Sequence, residues 1–359
     1  VDSITQAALG AAVGGAILGR RWGRKAIVVG ALLGTLPDLD VVLDYGDAVA
    51  NVTEHRGFSH SLFVLTGLGT LLALLTAYRW PATRQRPVHL RHWWWFYVLC
   101  LTTHPLLDAL TTYGTQLFWP LDVPPAAWPI VFIIDPLYTL PLLLALLIGA
   151  STHKVQKACR VGLAVSSAYL LLAAGAKWHV EQRLAPTLAE ANLQQAPVMV
   201  QPTPFNIALW RATIIDDDHY YESLISVFDR QRTPTLEPLR RNVALESAAL
   251  GNPKGERLAW FTGPFLRYEI RQIDGVDTLI ATDIRLGFPG FHPFNFTLAT
   301  REDERWVPLE VSEQVSTPRG LELETLARLA SRAGGDISAL CATDFVDPQW
   351  RTEPFLYRC

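Results

Sequence analysis

Charge is scarce in this chain: 18% of its 359 residues are Asp, Glu, Lys or Arg, against 50% hydrophobic. The scarcity is uneven, because charged residues are few and clustered up to about residue 176 and recur regularly after it. A formal net charge of −3 leaves a nucleic-acid partner without electrostatic support. Cysteine is rare too. Cys100, Cys159, Cys341 and Cys359 show no C-x-x-C spacing, so a thiolate metal site is not indicated. Cys100 and Cys159 lie in or beside apolar runs and read as packing residues, whereas Cys341 and Cys359 can pair if their domain lies outside the cytoplasm. No positive charge precedes the first apolar run. Asp2 stands there instead, and Arg20, Arg21, Arg24 and Lys25 follow the run, which argues against a cleaved signal peptide. No internal repeat of the kind built into many transporters is visible.

What the chain does have is a succession of apolar runs. Residues 4–19 carry Gly10, Gly14, Gly15 and Gly19 at small-xxx-small spacings, which let helix backbones approach closely in lipid. Sixteen residues make a helix about 24 Å long, hence a thin crossing or a re-entrant piece. Further runs at 26–44, 61–78, 93–112, 130–150 and 161–176 approach the roughly 20 residues that a bilayer core requires. The sequence therefore predicts a multi-pass α-helical membrane bundle over residues 1–180. Segments 20–25, 79–91 and 151–160 hold four, four and three Arg or Lys, whereas 45–60 has only Arg56 and 113–129 has none. The positive-inside rule puts the basic segments in the cytoplasm and the others outside. Trp93, Trp94, Trp95, Phe96 and Tyr97 then open their helix at the cytoplasmic end and read as an aromatic belt.

The composition changes beyond the sixth run. Stretches rich in β-branched and aromatic residues at 207–215, 219–228, 265–273 and 276–286, separated by Pro, Gly and Asp turns, predict antiparallel sheet, with one helix near 321–333. Residues 185–359 are thus expected to form a mainly β, α+β domain, extracytoplasmic by the parity of the crossings. Asp216, Asp217, Asp218 and His219 suit a solvated turn better than a second metal site.

Between Asp38 and Asp108 stand six side chains of the types that bind hard or borderline cations: Asp38 and Asp40 in P-D-L-D, His55 and His60 in H-R-G-F-S-H-S, and His104 and Asp108 in H-P-L-L-D. The topology places all six toward the outer side. Pro37 disturbs its helix so that Asp38 and Asp40 can turn to one centre as alternate residues of an extended piece, and Gly57 supplies the turn between the loop histidines. His104 and Asp108 are four apart, stacked on one helical face, with Pro105 inviting a kink. His and Asp around an open coordination position are the equipment for a metal-activated water. Three His and three Asp exceed one tetrahedral zinc, so either two ions bind or some residues orient the others. His55, His60, His104 and Asp108 are expected as direct ligands and Asp38 and Asp40 as further ones. Arg56, Ser59 and Ser61 are candidates for orienting or for stabilising anionic charge. Zinc is the favoured ion, one or two, with Mn or Mg as alternatives.

The stretches D-S-I-T-Q-A-A-L-G at the start, P-D-L-D at 37–40, H-R-G-F-S-H-S at 55–61 and H-P-L-L-D-A-L-T-T-Y-G-T-Q-L-F-W-P at 104–120 resemble the YdjM-type family of membrane-bound, metal-dependent hydrolases of the inner membrane. The resemblance covers roughly the first 140 residues and extends to D-P-L-Y-T-L-P at 135–141. It implies a multi-pass protein with a hydrolase site at Asp38, Asp40, His55, His60, His104 and Asp108. Relatives carry His where this chain has Gln6. The expected activity is hydrolysis of a lipid or lipid-linked ester or phosphoester at the outer membrane face. A non-enzymatic membrane protein, either a structural metal clamp or a transporter, is the alternative. A lipid-phosphate phosphatase of the His-nucleophile type lacks its phosphate-binding Arg, the position being Val98. An intramembrane serine protease would need Ser59 paired with a histidine in a dry cavity.

Overall fold

The computed structural model describes residues 1–79, 88–230, 233–316 and 323–352. In chain order it forms α1 (Ser3–Trp22), α2 (Arg24–Thr35), a 3₁₀ turn (Pro37–Val42), α3 (Ala48–Glu54), a second 3₁₀ turn (Phe58–His60), α4 (Leu62–Arg79), α5 (Leu90–Asp108), α6 (Pro136–Thr152) and α7 (Val155–Glu190). There follow β1 (Val198–Pro202), β2 (Leu209–Asp216), β3 (His219–Ser226), β4 (Glu237–Arg240), α8 (Glu246–Leu250), α9 (Pro253–Thr262), β5 (Leu266–Ile273), β6 (Val276–Asp283), β7 (Asn295–Glu302), β8 (Arg305–Pro308) and α10 (Leu323–Ala333). Two compact units result, and they interleave. The first is 1–43, 54–174 and 204–206; the second is 44–53, 175–203 and 207–359. Helix α7 passes from one to the other at 174/175, and the short excursion 44–53 belongs to the second unit although both its flanks belong to the first.

In the first unit the glycines of α1 work on two faces. A Cβ at Gly10 would stand 2.7 Å from the Gly34 Cα, and one at Gly14 would stand 2.6 Å from the Ala26 carbonyl, so α2 lies directly on this stripe. Gly15 and Gly19 instead admit Cys159, Val155 and Gln156 at the start of α7. The expected close approach is therefore present, toward two different partners. Cys100 and Cys159 are buried and free, as packing residues should be. Cys341 is disulfide-bonded, and the expected pairing with Cys359 falls on a residue outside those described.

Helix α2 does not run through 26–44 as its hydrophobicity suggests. Pro37 has no N–H to give and its ring crowds the preceding turn, so the α-helix stops at Thr35. The next residues form a 3₁₀ turn, and the extended piece expected at Asp38–Asp40 is not found. Helices occupy the places of the other runs, but among the described residues only α4 and α7 are long and apolar enough by themselves to cross a membrane, with α6 shorter at 17 residues. Helix α6 turns Leu137, Leu140, Leu144, Leu147 and Ile148 outward and buries Tyr138, Thr139, Leu142, Ala145 and Gly149. It is apolar all round, with a leucine-rich exposed face that lipid favours. The aromatic run on α5 departs from the belt reading. Trp95 is exposed, but Trp93 and Phe96 are buried in the helical core with Trp22, whose ring centroid lies 4.5 Å from that of Trp93.

The second unit holds two antiparallel four-stranded meanders, β1–β4 and β5–β8, each joined in sequence order. Four strands fall where sequence patterning puts them. The Asp217–Asp218 pair forms the two-residue turn of the β2–β3 hairpin, where Asp216 faces His219. There Asp217 takes φ +37° and the Asp218 carboxylate accepts from the Val243 amide at 2.9 Å. The first sheet packs Trp210, Ala212, Ile214 and Ile225 against Val180 and Leu184 of α7. The second packs Leu266, Tyr268, Leu279 and Phe296 against Val49 of α3, Ala249 of α8 and Leu258 of α9.

If the α1–α2 contact limits the stability of the first unit, Gly10→Ala lowers it by about 1–3 kcal/mol through overpacking. Gly67→Ala, at a helical glycine with open space around it, raises it by about 0.5–1 kcal/mol. Denaturant unfolding of the two variants in detergent micelles checks this, and equal responses would show that the contact is not limiting.

Candidate metal centre

Three segments deliver the site. The 3₁₀ turn after α2 carries Asp38, the 3₁₀ turn at 58–60 carries His60, and the last turn of α5 carries His104 and Asp108 on one face. Their inner atoms crowd together. His60 Nε2 and His104 Nε2 are 3.1 Å apart. Asp38 Oδ1 lies 3.2 Å from His104 Nε2 and 3.5 Å from His60 Nε2. Asp108 Oδ2 lies 3.3 Å from His60 Nε2 and 3.4 Å from His104 Nε2. A tetrahedron with metal–ligand bonds of about 2.0–2.2 Å has edges of about 3.3–3.6 Å. Three of the five separations fall on that edge, the other two are 0.1–0.2 Å shorter, and all four atoms lie within 4.8 Å of one another.

The outer hydrogen bonds decide what those atoms offer. His104 Nδ1 is 2.6 Å from the Gly34 carbonyl, which can only accept, so Nδ1 carries the proton and Nε2 keeps its lone pair. Ser59 Oγ donates to Asp40 Oδ2 at 2.6 Å, and its remaining lone pair faces His60 Nδ1 at 2.8 Å. His60 is thereby assigned the same tautomer, with a bare Nε2. Two imidazole lone pairs and two carboxylate oxygens then converge with nothing to donate among them, and only a proton or a cation relieves the repulsion. The set could hold a divalent cation. His60, His104 and Asp108 have side chains 0–1% exposed, and Asp38 at 22% marks the open side.

Asp40 and His55 do not join this group. Asp40 Oδ1 stands 3.0 Å from His55 Nδ1, and its Oδ2 accepts from the Arg56 amide at 3.0 Å as well as from Ser59. Asp40 thus pins the loop that presents His60. Asp38, two residues earlier, points elsewhere, because positions two apart on a 3₁₀ turn of three residues per turn lie about 120° from each other. The left-handed conformation in this loop belongs to Arg56, at φ +61°, and not to Gly57. Arg56 is buried, with Nε 3.4 Å from Asp108 Oδ2 in an ion pair that makes no hydrogen bond, and its guanidinium 4.8 Å from the Tyr113 ring centroid. Ser61 plays no part at the four atoms. It donates to the Trp119 carbonyl at 2.6 Å, and with the bonds from the Gln116 amide to the Arg56 carbonyl and from the Leu62 amide to the Leu117 carbonyl it fastens the histidine loop to 116–119.

Two contributors were missed by sequence reasoning. Gln6, fully buried, donates to Asp108 Oδ1 at 2.8 Å and to the His104 carbonyl at 3.3 Å, so it holds the carboxylate in place. Gly34 acts through its carbonyl, and no side chain announces it. Asp135, in the motif 135–141, caps α6 by accepting from the Leu137 and Tyr138 amides and takes a hydrogen bond from Tyr169 at 2.8 Å. Its role is to fix α6, which Thr139 then ties to Thr5 of α1 at 2.6 Å.

A helical unit with outward leucines and a buried His/Asp cup defines a metal-binding protein of membrane character. The chain belongs to the family described as YdjM inner membrane protein, whose family model matches residues 1–180. Inner membrane protein YbcI of Escherichia coli (strain K12) is 36% identical over 96 residues, 26% of this chain and 52% of that protein. The uncharacterized protein YfhP of Bacillus subtilis (strain 168) is 26% identical over 112 residues, 31% of this chain and 33% of that protein. The chain thus spans about half the length of the first relative and a third of the second. No solved structure matches it.

Removing a ligand should differ from removing a support. His104→Ala is expected to abolish stoichiometric zinc binding, Ser59→Ala to weaken it about 10- to 100-fold, and His55→Ala to weaken it less than Ser59→Ala. Competition titration against a chromogenic chelator gives the three affinities, and equal losses at His55 and His104 would make His55 a ligand.

Proposed function

We propose that this protein is a membrane-embedded, metal-dependent hydrolase that acts on a lipid or lipid-linked ester or phosphoester. The observation that carries the reading is the inward convergence of four electron-pair donors whose outer partners leave them nothing to bind but a cation. Asp38, His60, His104 and Asp108 would hold it. Asp40 and His55 support the cup from behind. When bound, a divalent ion such as zinc supplies Lewis acidity, polarising a carbonyl or phosphoryl oxygen and acidifying a water. The chain's own residues fix the rest. Ser59 and Gly34 hold the two imidazoles in one tautomer, Gln6 and Arg56 hold and orient the Asp108 carboxylate, and the partial exposure of Asp38 leaves one approach.

A lipid substrate is favoured by the surroundings of that approach. Leu39, Val41 and Val42 beside Asp38 are exposed apolar side chains, as are Phe58 and Trp119, whose ring centroids are 6.3 Å apart. Such a rim suits acyl chains better than sugars or peptides. We place the basic segments 20–25, 79–91 and 151–160 in the cytoplasm, with a multi-pass helical part, the cup toward the outer face of the inner membrane and residues 185–359 extracytoplasmic. The alternative, a metal used only as a clamp between helices, draws on the near-complete burial of three of the four donors.

Purified protein should carry close to one equivalent of a transition metal by mass spectrometry, and it should hydrolyse at least one member of a panel of phospholipids and lipid-linked phosphates. Chelation should remove the activity and zinc restore it, while His60→Ala lowers turnover by at least 100-fold. Bound metal without turnover, together with unfolding on chelation, would establish the clamp. Turnover that survives His60→Ala would remove the cup from the chemistry.

A further inference from the structure

The second unit contains a cavity of about 460 Å³ against the polar face of the β5–β8 sheet. Strand alternation divides that sheet. Leu266 and Tyr268 look into the apolar core with Leu279 and Phe296, so Arg267, Glu269 and Arg271 look the other way, beside Thr282, Ile280 and Thr278 of β6. The volume falls within the range of small-molecule sites. Arg267, Arg271 and Gln349 line it with donors, Glu269 and Asp347 with carboxylates, and Trp350 forms part of its wall.

Arg267 is the feature that needs an explanation. It is 7% exposed, and its guanidinium lies flat against a ring, 3.8 Å from the Trp350 centroid. Every other buried arginine of this unit meets a carboxylate: Arg211 meets Glu222, Arg241 meets Glu246, Arg285 meets Asp283 and Arg332 meets Asp229. Among the described residues Arg267 meets none, and its Nε has no hydrogen-bond partner. The acids nearby are engaged, Glu269 with Arg271 and Asp347 at the Gln349 amide, 3.1 Å away. His292 donates from Nδ1 to the Leu286 carbonyl at 2.8 Å, and burial first, then Arg211 and Arg267, hold its pKa well below the ordinary value. Among the described residues Arg267 is therefore a buried guanidinium without an ion-pair partner of its own, on a cavity wall that Glu269 and Asp347 share. An arginine keeps its proton in such a place, and an oxyanion entering the cavity would pair with it directly.

We infer that this cavity is an anion-binding site, in which Arg267, held by Trp350, receives a carboxylate or phosphate group of a small ligand through its guanidinium fork. A guanidinium held over a ring can still offer its edge, here the unpartnered Nε beside the Tyr220 hydroxyl, in two parallel hydrogen bonds, the arrangement that matches either oxyanion. The site is separate from the His/Asp cup and does not depend on the hydrolase reading.

The test is thermal unfolding and calorimetric titration of the full chain in detergent with inorganic phosphate and, separately, succinate. Wild type should bind at least one of the two with a rise in Tm, and which one binds identifies the group. Arg267→Met should abolish the response while leaving the Tm without anion unchanged or higher, because it removes a buried charge that has no partner. Trp350→Leu should weaken binding about tenfold and serves if Arg267→Met does not fold. His60→Ala should keep the response, which separates this cavity from a metal in the cup. No response in wild type, a response kept in Arg267→Met, or one lost in His60→Ala would each overturn the inference.

Discussion

Two imidazole nitrogens facing each other at 3.1 Å are the contact on which the first unit depends. Their outer nitrogens are committed to the Gly34 carbonyl and to Ser59, so both inner nitrogens turn toward one point, where a proton or a cation can sit between them. Everything nearby acts to maintain it. Gly34 can offer its carbonyl to His104 because α1 lies on α2 along a glycine stripe, and the same approach brings Gln6 to Asp108. The packing of two helices and the electronic state of a site are one arrangement here. A methyl group at Gly10 would act on the imidazole of His104 through two backbones.

The outward leucines of α6 and the small residues beneath them indicate the solvent in which this arrangement is stable. In water such a surface would associate, whereas in lipid it needs no cover and the burial of polar groups becomes the ordering force. That explains why the densest hydrogen bonding of the first unit surrounds six ionisable side chains and why its helices meet through glycine, alanine and hydroxyls.

Much of this was legible in the residues, and the limits of legibility have physical causes. Motif spacing named His60, His104, Asp38 and Asp108 among its six candidates, and these four are the ones whose inner atoms converge; for His104 and Asp108 the i,i+4 spacing on one helix accounts for the shared face. It could not separate Asp38 from Asp40, because that depends on whether Pro37 opens an extended or a 3₁₀ segment, and both satisfy its fixed φ. His55 looked equivalent to His60 in a seven-residue motif; the difference lies in Ser59 and in the left-handed turn at Arg56. Backbone contributions such as the Gly34 carbonyl leave no trace in side-chain chemistry. In the second unit β2, β3, β5 and β6 were readable from their β-branched runs. The short strands β4 and β8 were not, because pairing rather than composition holds them.

The excursion 44–53 has an implication for how the protein can be taken apart. Asp40 stands just before it and His55 just after it, while Val49 at its centre is buried among residues of β5–β7. A chain cut after α7 would strand that hydrophobic side chain and release both ends of the polypeptide that frames the histidine loop. The amino-terminal half is thus not an autonomous body with an accessory appended. Evolution could lengthen or reshape the carboxy-terminal part only while continuing to grip those ten residues, and loosening the grip would reach Asp40 and His55, and through them the His60 loop, along the covalent chain.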